Sequence, residues 1–381
     1  MQSKQYRALA PGLMAILVLS LTAGGCSDTQ ADGTSAGAPD SLAVAETADA
    51  AVHGDGDTSS HATASATVPA GPVTDLPPNE LGEIMVLEYH RLGENEGEWV
   101  RRPENFRRDL ETLYQRGYRP VLMRDVVRGH IDVPAGTTPV VFTIDDSSLG
   151  QFYLLEDGSI DPRSMMGMWE SFRSANPGWY YGAVWCILPG AEHPSNFFGE
   201  KATREVPRAE REDRIRRKME HIAGTRHEAC NHTMWHARLD RYEDAFVQDQ
   251  IGSGQDSIGA YLPDDYEIVT FALPLGMWPS NRSLAWQGTY RDGRTYRNLA
   301  VLEVTGGPNP SPFDTRFDPH SVKRLIVAPG ALERQLDAYD SNPLRRYVSD
   351  GDTGTITIPA ELQDRLDRSR LGGRQVRVRE Q

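Results

Sequence analysis

The 381-residue chain holds only three cysteines, Cys26, Cys186 and Cys230, and no two of them form a CxxC pair. A disulfide-stapled miniature and a cysteine-built zinc ribbon are therefore excluded, and a hydrophobic core of ordinary size has to hold the fold. Basic charge is also scarce, with 40 Lys and Arg against 54 Asp and Glu and a formal net charge of −14. Without a basic stripe to neutralise phosphates, a nucleic-acid partner is not expected. The shortage is extreme between Ser27 and Glu80, where no Lys or Arg stands among nine acidic residues. With Lys4 and Arg7 the only basic residues ahead of it, a charge of −7 is left for everything after Glu80. Residues 27–80 also have almost no large apolar side chains, so they cannot offset the entropy of folding and are predicted to form a solvated Ala/Gly/Ser/Thr/Asp tether. No Ser or Cys stands at a nucleophile elbow, and no internal repeat is present.

At the start, Lys4 and Arg7 precede an apolar run, Leu13 to Leu21, too short to span a bilayer comfortably but suited to the h-region of a secretory signal. The run leads into Leu21-Thr22-Ala23-Gly24-Gly25-Cys26, which resembles a bacterial lipoprotein signal, although Ala23 stands where Leu is usual. The resemblance implies a signal over 1–26, a lipid on Cys26 and a protein held at a bacterial membrane outside the cytoplasm. A plain secretory signal with an incidental cysteine, or an uncleaved anchor, are the alternatives. Cys186 and Cys230 are then free to bridge, or to remain two buried thiols.

From Leu81 onward, apolar runs alternate with amphipathic stretches, the pattern of parallel strands with helices outside them. Strands are predicted at Ile84–Tyr89, Pro139–Ile144, Gly182–Leu188, Tyr266–Leu273, Asn298–Val304 and Lys323–Val327. Asn105 is expected to cap a helix presenting Phe106, Leu110 and Leu113 on one face and stopped by Gly117. A second, highly charged helix is expected over Arg208–Ile222, with Pro207 in its first turn. The expectation is one α/β domain over 81–360, followed by a tail over 361–381.

Unusual polar residues stand at the downstream ends of these runs: His90, the pair Asp145-Asp146, and the turn Pro274 to Gly276. In barrels of alternating strands and helices, strand C-termini converge on one face and supply the active site. An Asp pair alone is commonly a turn or a helix cap. His232 and His236, four apart, can aim two imidazoles at one ion from one side of a helical turn. Two imidazoles and one carboxylate leave an open position on a zinc-like ion, where water becomes acidic enough to attack an acyl carbon. The second carboxylate can take a proton from that water.

Val86-Leu87-Glu88-Tyr89-His90-Arg91, Phe142-Thr143-Ile144-Asp145-Asp146-Ser147 and Asn231-His232-Thr233-Met234-Trp235-His236 resemble, in order, three motifs of the NodB-type polysaccharide deacetylases, carbohydrate esterase family 4. The likeness runs from about Glu83 to Asp352. It implies a distorted (β/α) barrel in which Asp146, His232 and His236 hold a divalent metal, Zn2+ first with Co2+ or Ni2+ as substitutes, and Asp145 is the general base. The implied substrate is an acetylated polysaccharide, and the implied products are acetate and a free amine. The family's Phe-Arg-x-Pro-Tyr-Gly motif reads Phe271-Ala272-Leu273-Pro274-Leu275-Gly276 here, so the arginine that orients the base is absent at Ala272 and the Tyr is Leu275. No Leu-x-His motif supplies the general acid; His320 and His90 are the candidates. Trp235, Pro274 and Trp278 are expected to contact substrate, with Trp179, Tyr180 and Tyr181 as further aromatic candidates. The competing expectation is a barrel that binds glycans without turnover.

Overall fold

The computed structural model describes residues 71–200 and 206–380. The expected signal, Cys26 and the expected tether up to residue 70 lie outside the described residues.

The strands that position the site are β1 (Met85–Tyr89), then β2 (Tyr118–Pro120) after helix α1 (Pro103–Gln115), and β3 (Thr138–Ile144). Helix α2 (Met165–Ala175) leads to β4 (Val184–Ile187), and α3 (Arg208–Gly224) to β5 (Glu228–Asn231). After α4 (Asp244–Gly259) come β6 (Thr270–Ala272), β7 (Ala300–Leu302) and β8 (Leu325–Ile326), then α5 (Ala331–Ser341). These eight strands form one sheet in the order β7-β6-β5-β4-β3-β1-β8, with β2 also on β3. Every pairing is parallel. The sheet curls until its edges approach: Leu302 on β7 bridges Val322, just ahead of β8. This is the expected (β/α) barrel, distorted by its short strands.

Because side chains alternate across a strand, each strand serves two cores. Met85, Leu87 and Tyr89 join Val140, Phe142, Ile144, Trp185 and Ile187 in the layer under the helices. The other parity, Ile84, Val86, Val141, Val184, Cys186, Cys230, Ala272 and Leu302, fills the barrel. Continuing that parity, Glu88, His90, Thr143 and Asp145 belong to the inward face. Cys186 and Cys230 are register partners on β4 and β5 and are joined by a disulfide.

Several expectations are corrected. Asn105 does not cap α1: the helix starts at Pro103, a residue suited to the first turn because its missing N–H is not needed there, and Asn105 instead donates to Glu96. Strand β5 was not expected, since Glu228-Ala229-Cys230-Asn231 carries too few large apolar residues to signal one. The tether boundary at residue 80 falls too late. Thr74 N–H donates to Gly136 O at 2.8 Å, Asn79 exchanges backbone hydrogen bonds with Val348, and Asn79 and Glu80 are buried. Nor is 361–380 a loose tail. Strand β10 (Gln375–Arg379) pairs in parallel with β9 (Thr355–Pro359), and Leu362 and Leu366 bury against Leu81, Phe313, Ile356 and Ile358. The chain just after the first segment and the second segment thus meet in one small apolar cluster.

Glu80 fastens that junction. Its carboxylate accepts from Thr357 N–H at 2.7 Å and Tyr347 O–H at 3.1 Å, yet burial outweighs these bonds and pushes its pKa up to about 8. Since the native state favours the protonated carboxyl, this group's stabilisation is complete below its ordinary pKa of 4.5 and is lost as pH rises through about 8. Glu80→Gln is therefore expected to gain stability relative to the parent between pH 5 and pH 8, on the order of 3–5 kcal/mol. Urea unfolding at both pH values checks this; a constant difference would assign the pH dependence elsewhere.

Candidate metal centre and active site

Strand β3 is buried along all seven residues and ends at Ile144. The next two residues divide the chemistry between them. Asp145 keeps the inward parity, its N–H bonded to Tyr89 O at 2.9 Å. Asp146 enters the left-handed region at φ 79°, and its carboxylate reaches both His232 and His236, whereas that of Asp145 approaches His232 alone of the two, at 3.8 Å. Two strands along, β5 delivers His232. The histidine pair does not lie on a helical turn as expected: residues 232–236 form a loop in which Thr233 (φ 69°) and His236 (φ 57°) are both left-handed. Asn231 holds this loop, its Oδ1 accepting from Thr233 N–H and its Nδ2 donating to Ile251 O.

Asp146 Oδ1 lies 3.6 Å from His232 Nε2 and 3.6 Å from His236 Nε2, too far to hydrogen-bond either, and it is buried with no hydrogen-bond partner. Donor atoms around a tetrahedral zinc, each ~2.1 Å from it, stand ~3.4 Å apart. The residues therefore fit a divalent cation. His232 Nδ1 lies 2.9 Å from Ala272 O, so its N–H points at that carbonyl and Nε2 is left as the ligand atom. Burial raises the carboxyl pKa of Asp146, but neighbouring His232 outweighs it and the net shift is downward. Burial, helped by the His232 charge, lowers His236 to about 4, which keeps that imidazole neutral and able to ligate.

Asp145 has a different partner. Arg324, on the segment leading into β8, grips it at two points, Nη1 to Oδ1 at 2.8 Å and Nη2 to Oδ2 at 2.9 Å. The same guanidinium meets Thr143 Oγ1 at 3.0 Å and Glu88 Oε1 at 3.2 Å, and Arg324 has no exposed side-chain surface. Burial raises Asp145, yet the Arg324 charge prevails and holds its carboxyl well below the usual range. Glu88 is carried the other way, burial raising it more than Arg324 lowers it. Sequence reasoning missed Arg324. The arginine that clamps Asp145 therefore comes from position 324, ahead of the edge strand β8, and not from position 272 on β6.

A pocket of about 480 Å³ opens over these groups, lined by Glu88, His90, Arg91, Trp99, Asp145, Asp146, Pro194, His232, His236, Leu275, Met277 and Val304. His90 is therefore brought to the site, its Nε2 3.7 Å from Glu88 Oε1 and its ring 4.7 Å from that of Trp99. His320 is not: it stacks on Trp286 at 4.6 Å and is absent from the lining, because the Asp318 turn directs it to the outer face of β7. Trp278 is drawn under Arg282, 3.7 Å from its ring, and Trp179 is a core residue. Pro274 is buried beneath the rim, where the neighbouring Leu275, at φ 57°, is the residue that reaches the pocket. Trp235 stands exposed in the loop between His232 and His236.

A second cluster, Glu170, His221 and His227, brings ligand-type atoms as close together. There, His227 Nδ1 accepts from Ala183 N–H and Trp185 Nε1–H, which places the ring proton on Nε2, facing Glu170 at 2.9 Å. That imidazole is a hydrogen-bond donor, not a ligand.

No family model matches the sequence, and no curated protein matches it. Among solved structures, the chain is similar to the deacetylase PplD of Streptococcus pyogenes in complex with acetate, at 14% identity over 68% of this chain and 98% of that one, TM-score 0.45. It is similar to IcaB from Ammonifex degensii at 16% identity over 68% and 97%, TM-score 0.44. A polysaccharide deacetylase from Bacillus cereus aligns at 12% identity over 67% and 68%, TM-score 0.44.

Two outcomes follow from the geometry. Asp146→Ala and His236→Ala should each weaken zinc binding at least about 100-fold in isothermal titration; unchanged affinity would place the ion elsewhere. Arg324→Met leaves two carboxyls facing each other without a cation and should cost about 3–5 kcal/mol in urea unfolding. A loss under ~1 kcal/mol would show that the pair is not closed in solution.

Proposed function

We propose that the chain is a metal-dependent hydrolase that removes acetyl groups, N-acetyl in the first place, from a polysaccharide outside the cytoplasm. The observation that carries this reading is the unpaired Asp146 oxygen facing two imidazole nitrogens at 3.6 Å beside a separately clamped Asp145. Asp146, His232 and His236 hold the cation, Zn2+ in the first instance. Bound there, it acts as a Lewis acid toward water and the acyl oxygen. Asp145, kept ionised by Arg324, accepts the proton of the water that adds to the acyl carbon. His90, which lines the same pocket, is assigned to give a proton to the departing nitrogen as the C–N bond breaks. Acetate and a free amine leave.

The opening apolar run and Cys26 support export and a lipid anchor, and the Cys186–Cys230 bridge supports the same compartment, since disulfides persist outside the reducing cytosol. The competing reading, a glycan-binding barrel without turnover, draws on the arginine missing at Ala272, on Leu275 in place of Tyr and on the absent general-acid motif; Arg324, clamped on Asp145, answers the first of these. The test is acetate release from acetylated oligosaccharides. Activity should vanish with chelator and return with zinc or cobalt, and Arg324→Lys, which keeps the charge but not the two-point grip, should lower kcat about 100-fold. Sugar binding with no acetate released under any metal would establish the competing reading.

A further inference from the structure

Trp235 lies between ligands His232 and His236, with 53% of its surface exposed. The indole is nonetheless fixed. Its N–H backbone group donates to Gln250 Oε1 at 3.1 Å, Gly190 N–H donates to Met234 O at 3.0 Å, and a Cβ on Gly190 would come within 3.0 Å of Trp235 Cδ1. The ring thus lies against the bare backbone at Gly190, with about half of the residue's surface left to solvent. The ring does not stand alone: Phe246 on α4 lies 6.2 Å from it, and Tyr242, 47% exposed, stacks obliquely on Phe246 at 4.2 Å and 31°. Three aromatic rings therefore run away from the metal ligands across the protein surface.

Aromatic area held in water by this much supporting structure points to a ligand with apolar faces and polar edges. A membrane surface fits poorly, because the flanking charges Arg238, Asp240, Arg241, Glu243 and Asp244 are mixed in sign and Arg238 is already paired with Asp240, so no basic patch is offered to anionic headgroups. Sugar rings fit well, since their C–H faces lie flat on aromatic planes while their hydroxyls stay hydrated. We infer that Trp235, Phe246 and Tyr242 form a strip that binds sugar units adjacent to the one being deacetylated, so that the protein acts on interior positions of a glycan chain. The strip rests on the proposed deacetylase reading for the unit at the metal, and on its own rings for the neighbouring units. Binding energy from those remote units then serves to place the acetyl group, so short substrates lose rate as well as affinity.

The experiment uses the zinc-loaded exported chain with monomer-to-hexamer series of β-1,4- and β-1,6-linked N-acetylglucosamine, and their deacetylated hexamers as binding probes in calorimetry. In at least one linkage series, kcat/KM for acetate release should rise at least about tenfold from dimer to hexamer. Tyr242→Ala and Trp235→Ala should bring that ratio near one, Tyr242→Phe should restore it, and Val378→Ala, an exposed apolar residue on β10, should leave it unchanged. Equal rates for all lengths, an undiminished ratio in Tyr242→Ala, or no binding of any oligomer overturns the strip. Length-dependent binding that Tyr242→Ala removes, with no acetate released from any substrate, upholds the strip and rejects the hydrolase reading instead.

Discussion

The buried guanidinium of Arg324, closed on Asp145 from one side and Glu88 from the other, is the constraint on which the rest of the site depends. It ties the segment before the last strand to the ends of the first and third, across the interior of the barrel. In that dry setting a lone carboxylate would take up a proton, and a lone arginine would cost several kcal/mol. Together they keep one acid ionised and leave Oδ1 of its neighbour, Asp146, without a hydrogen-bond partner between two imidazoles. The division of labour between two consecutive aspartates follows from this pairing and from the left-handed turn between them.

Much of this arrangement was legible in the sequence. Asp145-Asp146 stands out because it ends an apolar strand, and the parity of Val141 and Thr143 already aims Asp145 inward. The His232–His236 spacing marked a pair of candidate ligands but suggested the wrong backbone. The two rings converge through positive φ at Thr233 and His236 after a strand, and no local propensity announces that. Arg324 was hidden for a different reason: its contact with Asp145 spans 179 positions, and Val322-Lys323-Arg324-Leu325-Ile326 reads as an ordinary edge strand. A usable signal existed, namely a glutamate and an arginine at inward positions of what prove to be adjacent strands.

The ends of the folded region were misjudged because composition reports on side chains, while order at residues 72–80 comes from backbone hydrogen bonds offered by the barrel. Residues 361–380 were misjudged because two short strands and a handful of leucines make a core too small to stand out in a sequence. His320 and Trp278 illustrate the limit of choosing by residue type: both are claimed by aromatic and cation–π packing on the outer side of the sheet. Trp99 and Tyr242, equally ordinary in sequence, occupy the surfaces that face the site or extend from it.

The most direct measurement of the central claim is X-ray absorption at the zinc edge on the metal-loaded protein. The account predicts a first shell of nitrogen and oxygen alone at about 2.0–2.1 Å, with multiple scattering from two imidazoles that falls to one in His236→Ala. A shell lacking imidazole scattering, or one unaltered by that substitution, would contradict it.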